Sequence, residues 1–354
     1  MKTQTRYACA VAVAALMLAA PSLSAKEYKL TIAAESPPVV TPAFVTKTFF
    51  VPGVTKRAEA CGDTIVWNEA YGQAIAKFGE TLEAVEEGIA HLAVILRNFE
   101  EAKLPLDQYP SIMPFVVADA AMMQEIDTSV RKKVPAMNEM YGRYNQIYLA
   151  GAPEHSLQLF TTFPVKRHED LKGKKIGGSG SLGNYIRGTG AVLVNSSMLD
   201  SYTSIKNGLY DGYPISIYLA FPYRTYQAAK HYTETDFGAT TVAALTVNTK
   251  VWESFSDCMK KAVRDTADEW PKHYIEVNSE RLTKQTDEIK KAGVVFTKLT
   301  TEERKRWATT LPPLSKQWAE ALEQKGLPAK AVIKAFMEEA RARIPDLPRE
   351  WDKE

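Results

Sequence analysis

The sequence predicts an α/β protein built as two lobes that face one another, with one long helix reaching across both. Three observations carry this expectation. Strand-like and helix-like segments alternate before residue 150, a similar helix, glycine, strand ending recurs after it, and a glycine-free stretch from 256 to 292 is longer than one lobe needs. With 354 residues the chain exceeds the ~250 at which a single core usually stops growing, so two units are expected.

Tyr28 to Ala34 alternates and is apolar enough for a buried strand, which Pro37-Pro38 ends. Thr41-Pro42 restarts the chain as a helix, with Thr41 as the expected cap and Pro42 at the first helical position. Ala43 to Ala60 reads helical with a break at Pro52-Gly53, and Cys61-Gly62-Asp63 turns the chain into a second strand, Thr64 to Glu69. Thr81 to Glu87 is a helix stopped by Gly88, and Ala90 to Leu96 is a third strand ending at Arg97-Asn98. In the second half, Ser156 to Phe160 and Lys174 to Ile176 read as strands, and Tyr202 to Asn207 as a short helix stopped by Gly208. Ser256 to Ala292 is one helix with a bend at Pro271; at ~1.5 Å per residue it extends roughly 50 Å and can serve both lobes as a spine. Thr301 to Lys325 and Ala329 to Arg343 read as further amphipathic helices, their Lys and Glu runs being solvated faces.

Composition narrows the class. The chain is 45% hydrophobic and 24% charged, which excludes a disordered or collagen-like protein. Its 44 Lys+Arg face 42 Asp+Glu, and Lys2 and Arg6 stand in an acid-free leader, so the remainder is balanced and no nucleic-acid partner is expected. The leader continues as an apolar run from Ala8 to Ala20, then Pro21 and Ser22-Leu23-Ser24-Ala25, the order of a secretory signal peptide over 1–25. The run falls short of the ~20 residues that span a bilayer, and a buried first helix is the other reading. Cys9 lies inside the run, which argues against lipid attachment. Cys61 and Cys258 remain after cleavage, as one bridge or as two unpaired thiols.

Four segments occur in order: Tyr71-Gly72-Gln73 with Glu80-Thr81-Leu82-Glu83-Ala84-Val85-Glu86-Glu87-Gly88-Ile89-Ala90; Asp170-Leu171-Lys172-Gly173-Lys174-Lys175-Ile176; Asp200-Ser201-Tyr202 leading to Gly208-Leu209-Tyr210-Asp211-Gly212; and Val247-Asn248-Thr249-Lys250-Val251-Trp252. In order and spacing, over roughly residues 27 to 295, they resemble the substrate-binding subunit of TRAP transporters, the DctP-type periplasmic solute receptors. The resemblance implies the two-lobe periplasmic binding protein fold, a monomer that catalyses nothing and holds no cofactor, and a small organic acid as ligand. It also implies delivery of that ligand to a sodium-coupled permease made of a small and a large membrane subunit. The matching division is 26–149 with about 237–268 as the N-terminal lobe, 150–236 with about 269–300 as the second, and 301–354 as C-terminal helices packed on the lobes.

Two positions depart from the family pattern. Most members follow the Asp-Leu-Lys-Gly-x-Lys-Ile stretch with an arginine that grips a ligand carboxylate through two hydrogen bonds, whereas Gly177 stands there in this chain. Where a polar residue commonly follows Asp-Gly, the sequence reads Tyr213-Pro214-Ile215. Both exchanges point away from a simple C4-dicarboxylate and toward a larger or more apolar acid, such as an aromatic or branched monocarboxylate. A crevice between lobes, beyond the carboxyl ends of the strands, is the default ligand site. Arg97 is expected there as the replacement cation, with Asn98 beside it; a surface arginine next to Glu100 and Glu101 is the other reading. Arg187, on a helix, is a second cation, and Glu35 at the first strand's end faces a cation or hydroxyl unless it is an exposed turn acid. Backbone N–H groups around Gly177 and Ser179 can face a ligand oxygen. Tyr213, Ile215, Phe115 and Met198 would supply apolar walls, or else pack as ordinary core.

Other classes compete. Gly178-Ser179-Gly180-Ser181-Leu182-Gly183 matches G-x-G-x-x-G after a strand, as in a dinucleotide-binding enzyme, but Asn195 rather than an acid closes the next strand. Ser179 lacks the remaining glycine of a G-x-S-x-G hydrolase elbow, and the five histidines, His91, His155, His168, His231 and His273, show no metal-ligand spacing. A ligand-binding protein that serves a chemoreceptor or sensor kinase fits the same sequence.

Overall fold

The computed structural model describes residues 26–354, so the signal peptide expected over 1–25, Cys9 included, lies outside the described residues. In chain order the strands are β1 (Glu27–Ala34), β2 (Thr64–Tyr71), β3 (Leu92–Leu96), β4 (Gln146–Glu154), β5 (Gln158–Thr161), β6 (Lys175–Gly178), β7 (Val192–Asn195), β8 (Gly212–Ile215), β9 (His231–Glu234), β10 (Thr240–Asn248) and β11 (Val295–Lys298). They form two mixed sheets, ordered β2-β1-β3-β10-β4 and β11-β9-β5-β8-β6-β7. In the first, β1 runs parallel to β2 and β3, while β10 is antiparallel to β3 and β4. In the second, β6 is parallel to β7 and β8, and β5 is antiparallel to β8 and β9.

The chain crosses between sheets twice, from β4 to β5 and from β9 to β10. The first crossing comes later than residue 150, because β4 keeps its ladder with β10 as far as the Glu154–Thr240 pair. A third connection is the spine helix, Asp257–Lys291, which contains Pro271. The Ser256 hydroxyl caps it by accepting the Met259 N–H at 3.1 Å, Lys290 and Lys291 complement the carbonyl end, and Gly293 at φ +80° ends it. Met259, Val263, Ala267, Trp270 and Tyr274 enter the first lobe's core, and Ile289 enters the second's. A disulfide between Cys61 and Cys258, Cα atoms 5.9 Å apart, fastens the first turn of the spine to the turn before β2.

Three local readings change. The first helix, Thr41–Val45, is capped by Val40 rather than Thr41, whose hydroxyl instead accepts from the spine's Arg281 Nη1 at 3.1 Å. Pro52-Gly53 makes no break. A π-helical turn, Thr46–Phe50, leads into the helix Val51–Ala60, where Pro52 sits in the first turn and its missing N–H goes unneeded. Gly53 serves helix packing, since a Cβ there would stand 2.8 Å from Thr266 Cγ2 of the spine. The helix expected over 301–325 is two, Thr301–Thr310 and Leu314–Glu323, because Pro312-Pro313 interrupts the donor ladder. This C-terminal segment touches both lobes: Trp307 Nε1–H donates to the Tyr185 carbonyl at 2.9 Å and Trp351 Nε1–H to the Pro114 carbonyl at 3.0 Å.

Candidate functional site

Between the lobes, beyond the strand ends, lies a cavity of about 620 Å³. Ser36, Leu96, Asn98, Phe99 and Glu101 reach it from beyond β1 and β3, and Ser179 to Leu182, Met198 and Tyr213 to Ile215 face them from the second lobe. The crossing segments add Glu154, Leu157, Thr240 and Val242 at the back, with Tyr218 and Tyr223 alongside. Among the described residues no lysine, arginine or histidine lines it. Of the residues expected at the crevice, Asn98, Ser179, Met198, Tyr213 and Ile215 are therefore brought together there.

Arg97 is not among them, and the expectation that it faces the crevice is corrected. It is 1% exposed and lies on the face of β3 shared by Ala93 and Ile95, turned toward the helix Ala120–Lys133. Its Nη1 stands 3.6 Å from Asp107 and 4.0 Å from Asp127, and its Nη2 donates to the Ala243 carbonyl at 3.0 Å. Arg131 completes the group, 2.5 Å from Asp107 and 2.9 Å from Asp127, while the Tyr141 and Tyr109 hydroxyls donate to the same two carboxylates. Two arginines and two aspartates thus neutralise one another inside the first lobe. Gly151 makes the room, because a Cβ there would stand 2.8 Å from Arg97 Nη2.

Four further residues lie elsewhere. Phe115 is core, its ring 5.4 Å from Phe237 and 6.1 Å from Trp307. Gly177 exists for Tyr210, since a Cβ would stand 2.5 Å from that ring. Arg187 is exposed and follows a 3-10 turn, Gly180–Tyr185, rather than sitting on an α-helix. Glu35 is buried at the end of β1 outside the cavity lining, with neither carboxylate oxygen hydrogen-bonded. Burial, reinforced by Glu100, raises its pKa to about 8.

The cavity's own charges are acidic. Glu154, the last residue of β4, is 3% exposed, and its Oε1 accepts from the Ser216 hydroxyl at 2.8 Å. Burial raises its pKa to about 7. Glu101 reaches across the cleft, where its Oε1 accepts the Ser181 N–H at 2.9 Å and contacts the space beside Gly180, held at φ +53°. The glycine loop therefore does bind a carboxylate oxygen through its main chain, one from the facing lobe. A 3-10 turn follows β6, so the G-x-G-x-x-G stretch lacks the α-helix N-terminus that a pyrophosphate uses. On the surface His168, Glu169 and Glu303 converge despite their spacing in sequence, but Arg306 pairs with both acids, at 2.6 and 2.8 Å.

Sequence reasoning missed Glu154 and Tyr218. The available signal was an isolated acid closing the apolar run Leu149-Ala150-Gly151-Ala152-Pro153, and it was masked by placing the lobe boundary inside that run.

Two lobes linked by two strand crossings and a spine, with a cavity at the strand ends, define a two-lobe solute-binding protein. The chain belongs to the bacterial extracellular solute-binding protein family 7, DctP, whose model matches residues 74–321. Solved structures of similar fold include a TRAP periplasmic solute-binding protein from Chromohalobacter salexigens with bound d-glucuronate, at TM-score 0.75 and 17% identity over 89% of this chain and 100% of that one. The periplasmic ectoine-binding protein of a TRAP transporter from Halomonas elongata matches at 0.75 and 19% over 89% and 99%. A TRAP periplasmic solute-binding protein from Desulfovibrio salexigens with bound orotic acid gives the same values, 0.75 and 19% over 89% and 99%. Among the described residues no helix is long and apolar enough to cross a membrane.

Proposed function

We propose that this chain is the periplasmic receptor of a TRAP-type secondary transporter, which captures one small organic solute between its lobes and hands it to a small and a large membrane subunit. The observation that carries the reading is the 620 Å³ cavity at the strand ends, enclosed by two lobes whose crossings and spine allow them to move as units. It performs no chemistry on the solute.

The relatives described above bind glucuronate, orotic acid and ectoine, and an organic acid is the natural expectation for this chain too. In this cleft an acid group meets no cation among the described residues, only neutral donors: main-chain N–H groups, the Asn98 amide and hydroxyls, those of Ser36, Ser179 and Ser197 among them. A compact C4-dicarboxylate would bring two negative charges to a cavity that already holds Glu101 and Glu154, and burial of an unpaired carboxylate is strongly disfavoured. The solute is therefore larger or more apolar than a C4-dicarboxylate and carries at most one carboxylate. Leu96, Tyr213, Ile215 and Tyr218 form its walls.

Mass spectrometry of the small molecule released from natively purified protein tests this, together with melting curves in succinate, malate and fumarate. No melting shift is expected with the three dicarboxylates, and micromolar binding of succinate overturns the ligand class. Deletion of the coding sequence should abolish uptake of the identified solute. Intact uptake with lost chemotaxis or signalling would move the protein to a sensory partner.

A further inference from the structure

We infer that the cleft recognises a positively charged nitrogen on its solute, with the Glu154 carboxylate as the counter-ion. The inference rests on the receptor reading above and adds the chemistry of the solute's polar end. Glu154 lines the cavity from the end of β4, where the chain crosses between lobes, and it is almost wholly buried. Among the described residues no lysine, arginine or histidine nitrogen lies within 4.0 Å of its carboxylate, in contrast to every acid of the Arg97 group. The neighbours that do face it, Ser216, Tyr218 and Tyr274 of the spine, are neutral. Arg281, which faces Tyr218 and Tyr274, directs its donors instead to the Val39 carbonyl and the Thr41 hydroxyl.

A buried carboxylate without a counter-ion is costly, and one held only by neutral hydroxyls, those of Ser216 and Tyr218, leaves its charge available to whatever enters the cavity. An ammonium or amidinium group would form a charge-assisted hydrogen bond with it. Glu101 adds a second negative charge from the facing lobe. Burial raises the Glu154 pKa to about 7, so near neutral pH the empty cleft is partly protonated there, and a bound cation would displace that proton and favour the carboxylate.

The test passes the low-molecular-weight fraction of a bacterial cell extract over the wild type and over E154Q, and identifies retained solutes by mass spectrometry. The wild type should enrich a solute bearing a basic or quaternary nitrogen. Its dissociation constant should rise at least about tenfold in E154Q, equivalent to about 1.4 kcal/mol. An uncharged analogue, with the nitrogen acylated or replaced by carbon, should bind the wild type at least about tenfold more weakly, a comparison that needs no folded variant. Enrichment of a solute without such a nitrogen, or equal binding of the charged and uncharged forms, overturns the inference and leaves the receptor reading intact. Failure of the wild type to retain any solute overturns the receptor reading itself.

Discussion

The first lobe buries acids in two ways. Asp107 and Asp127 lie among Arg97 and Arg131 with tyrosine hydroxyls filling their remaining positions, whereas Glu35, at the end of β1, and Glu154, at the crossing, are buried with no basic partner within ion-pair distance among the described residues. Burial alone would raise Asp127, yet Arg131 and Arg97 hold it below the usual carboxylate range. The same burial, uncompensated, raises Glu154 to about 7 and Glu35 to about 8. The first arrangement settles its charge within the fold. The second leaves a charge or a proton unsettled, and at Glu154, which lines the cleft, that difference separates a scaffold from a site.

Breaking the neutral group should have the largest effect. Asp107→Ala leaves two buried guanidiniums sharing Asp127, and removal of one member of a buried ion group typically destabilises by about 3–5 kcal/mol. Urea unfolding measures this, and a loss below about 1 kcal/mol would mean the group is hydrated rather than dry.

Next comes the proton held by Glu154. Its folded pKa lies above the ordinary 4.5, so the folded state binds the extra proton between pH 4.5 and about 7, and stability falls as pH rises through that window. Glu35 acts in the same direction up to about 8. The shift corresponds to on the order of 3 kcal/mol when Glu154 is charged and unpaired, so E154Q should be more stable than the wild type near pH 8, with the advantage vanishing near pH 5. Melting curves across pH decide it; parallel curves for the two proteins would show that Glu154 is already charge-compensated in the empty cleft.

These contrasts mark where the sequence was legible. Gly88 and Gly208 end their helices at φ +78° and +71° as their positions imply, and the spine follows from its cap, its missing glycines and its closing Gly293. Arg97 was misplaced for a definite reason. All five residues of β3 are buried, so the strand has no polar face from which to read the direction of the side chain that follows it. Phe115, an apolar residue at φ +68°, looks like a wall in sequence and is core in space because its neighbours Phe237 and Trp307 arrive from more than a hundred residues away. Glu154 needed the β4–β10 register, which no local pattern encodes.

A solute that neutralises Glu154 would sharpen the comparison by giving the cleft what the Arg97 group has already. At 100 times its dissociation constant such a ligand should stabilise the wild type by ~2.7 kcal/mol, with a smaller gain for E154Q at the same concentration. Equal stabilisation of both proteins would place the binding energy on the apolar walls instead.

The smallest expected effect concerns Glu101, which lies between the two arrangements: a half-buried acid whose partner is a main-chain N–H of the opposite lobe. That contact links the lobes across the cleft without any solute, and because Glu101 is half exposed, solvent screening keeps it below the roughly 1.5–3 kcal/mol of a buried hydrogen bond to a charged group. Glu101→Ala should therefore leave urea unfolding nearly unchanged while shifting the empty protein toward more open lobes, since the bond exists only when the loop after β6 meets the segment after β3. Small-angle scattering should show a larger radius for the empty variant than for the empty wild type, and convergence of the two when solute is saturating. Identical radii in the empty proteins would mean that the C-terminal segment, which holds both lobes through Trp307 and Trp351, sets their separation by itself.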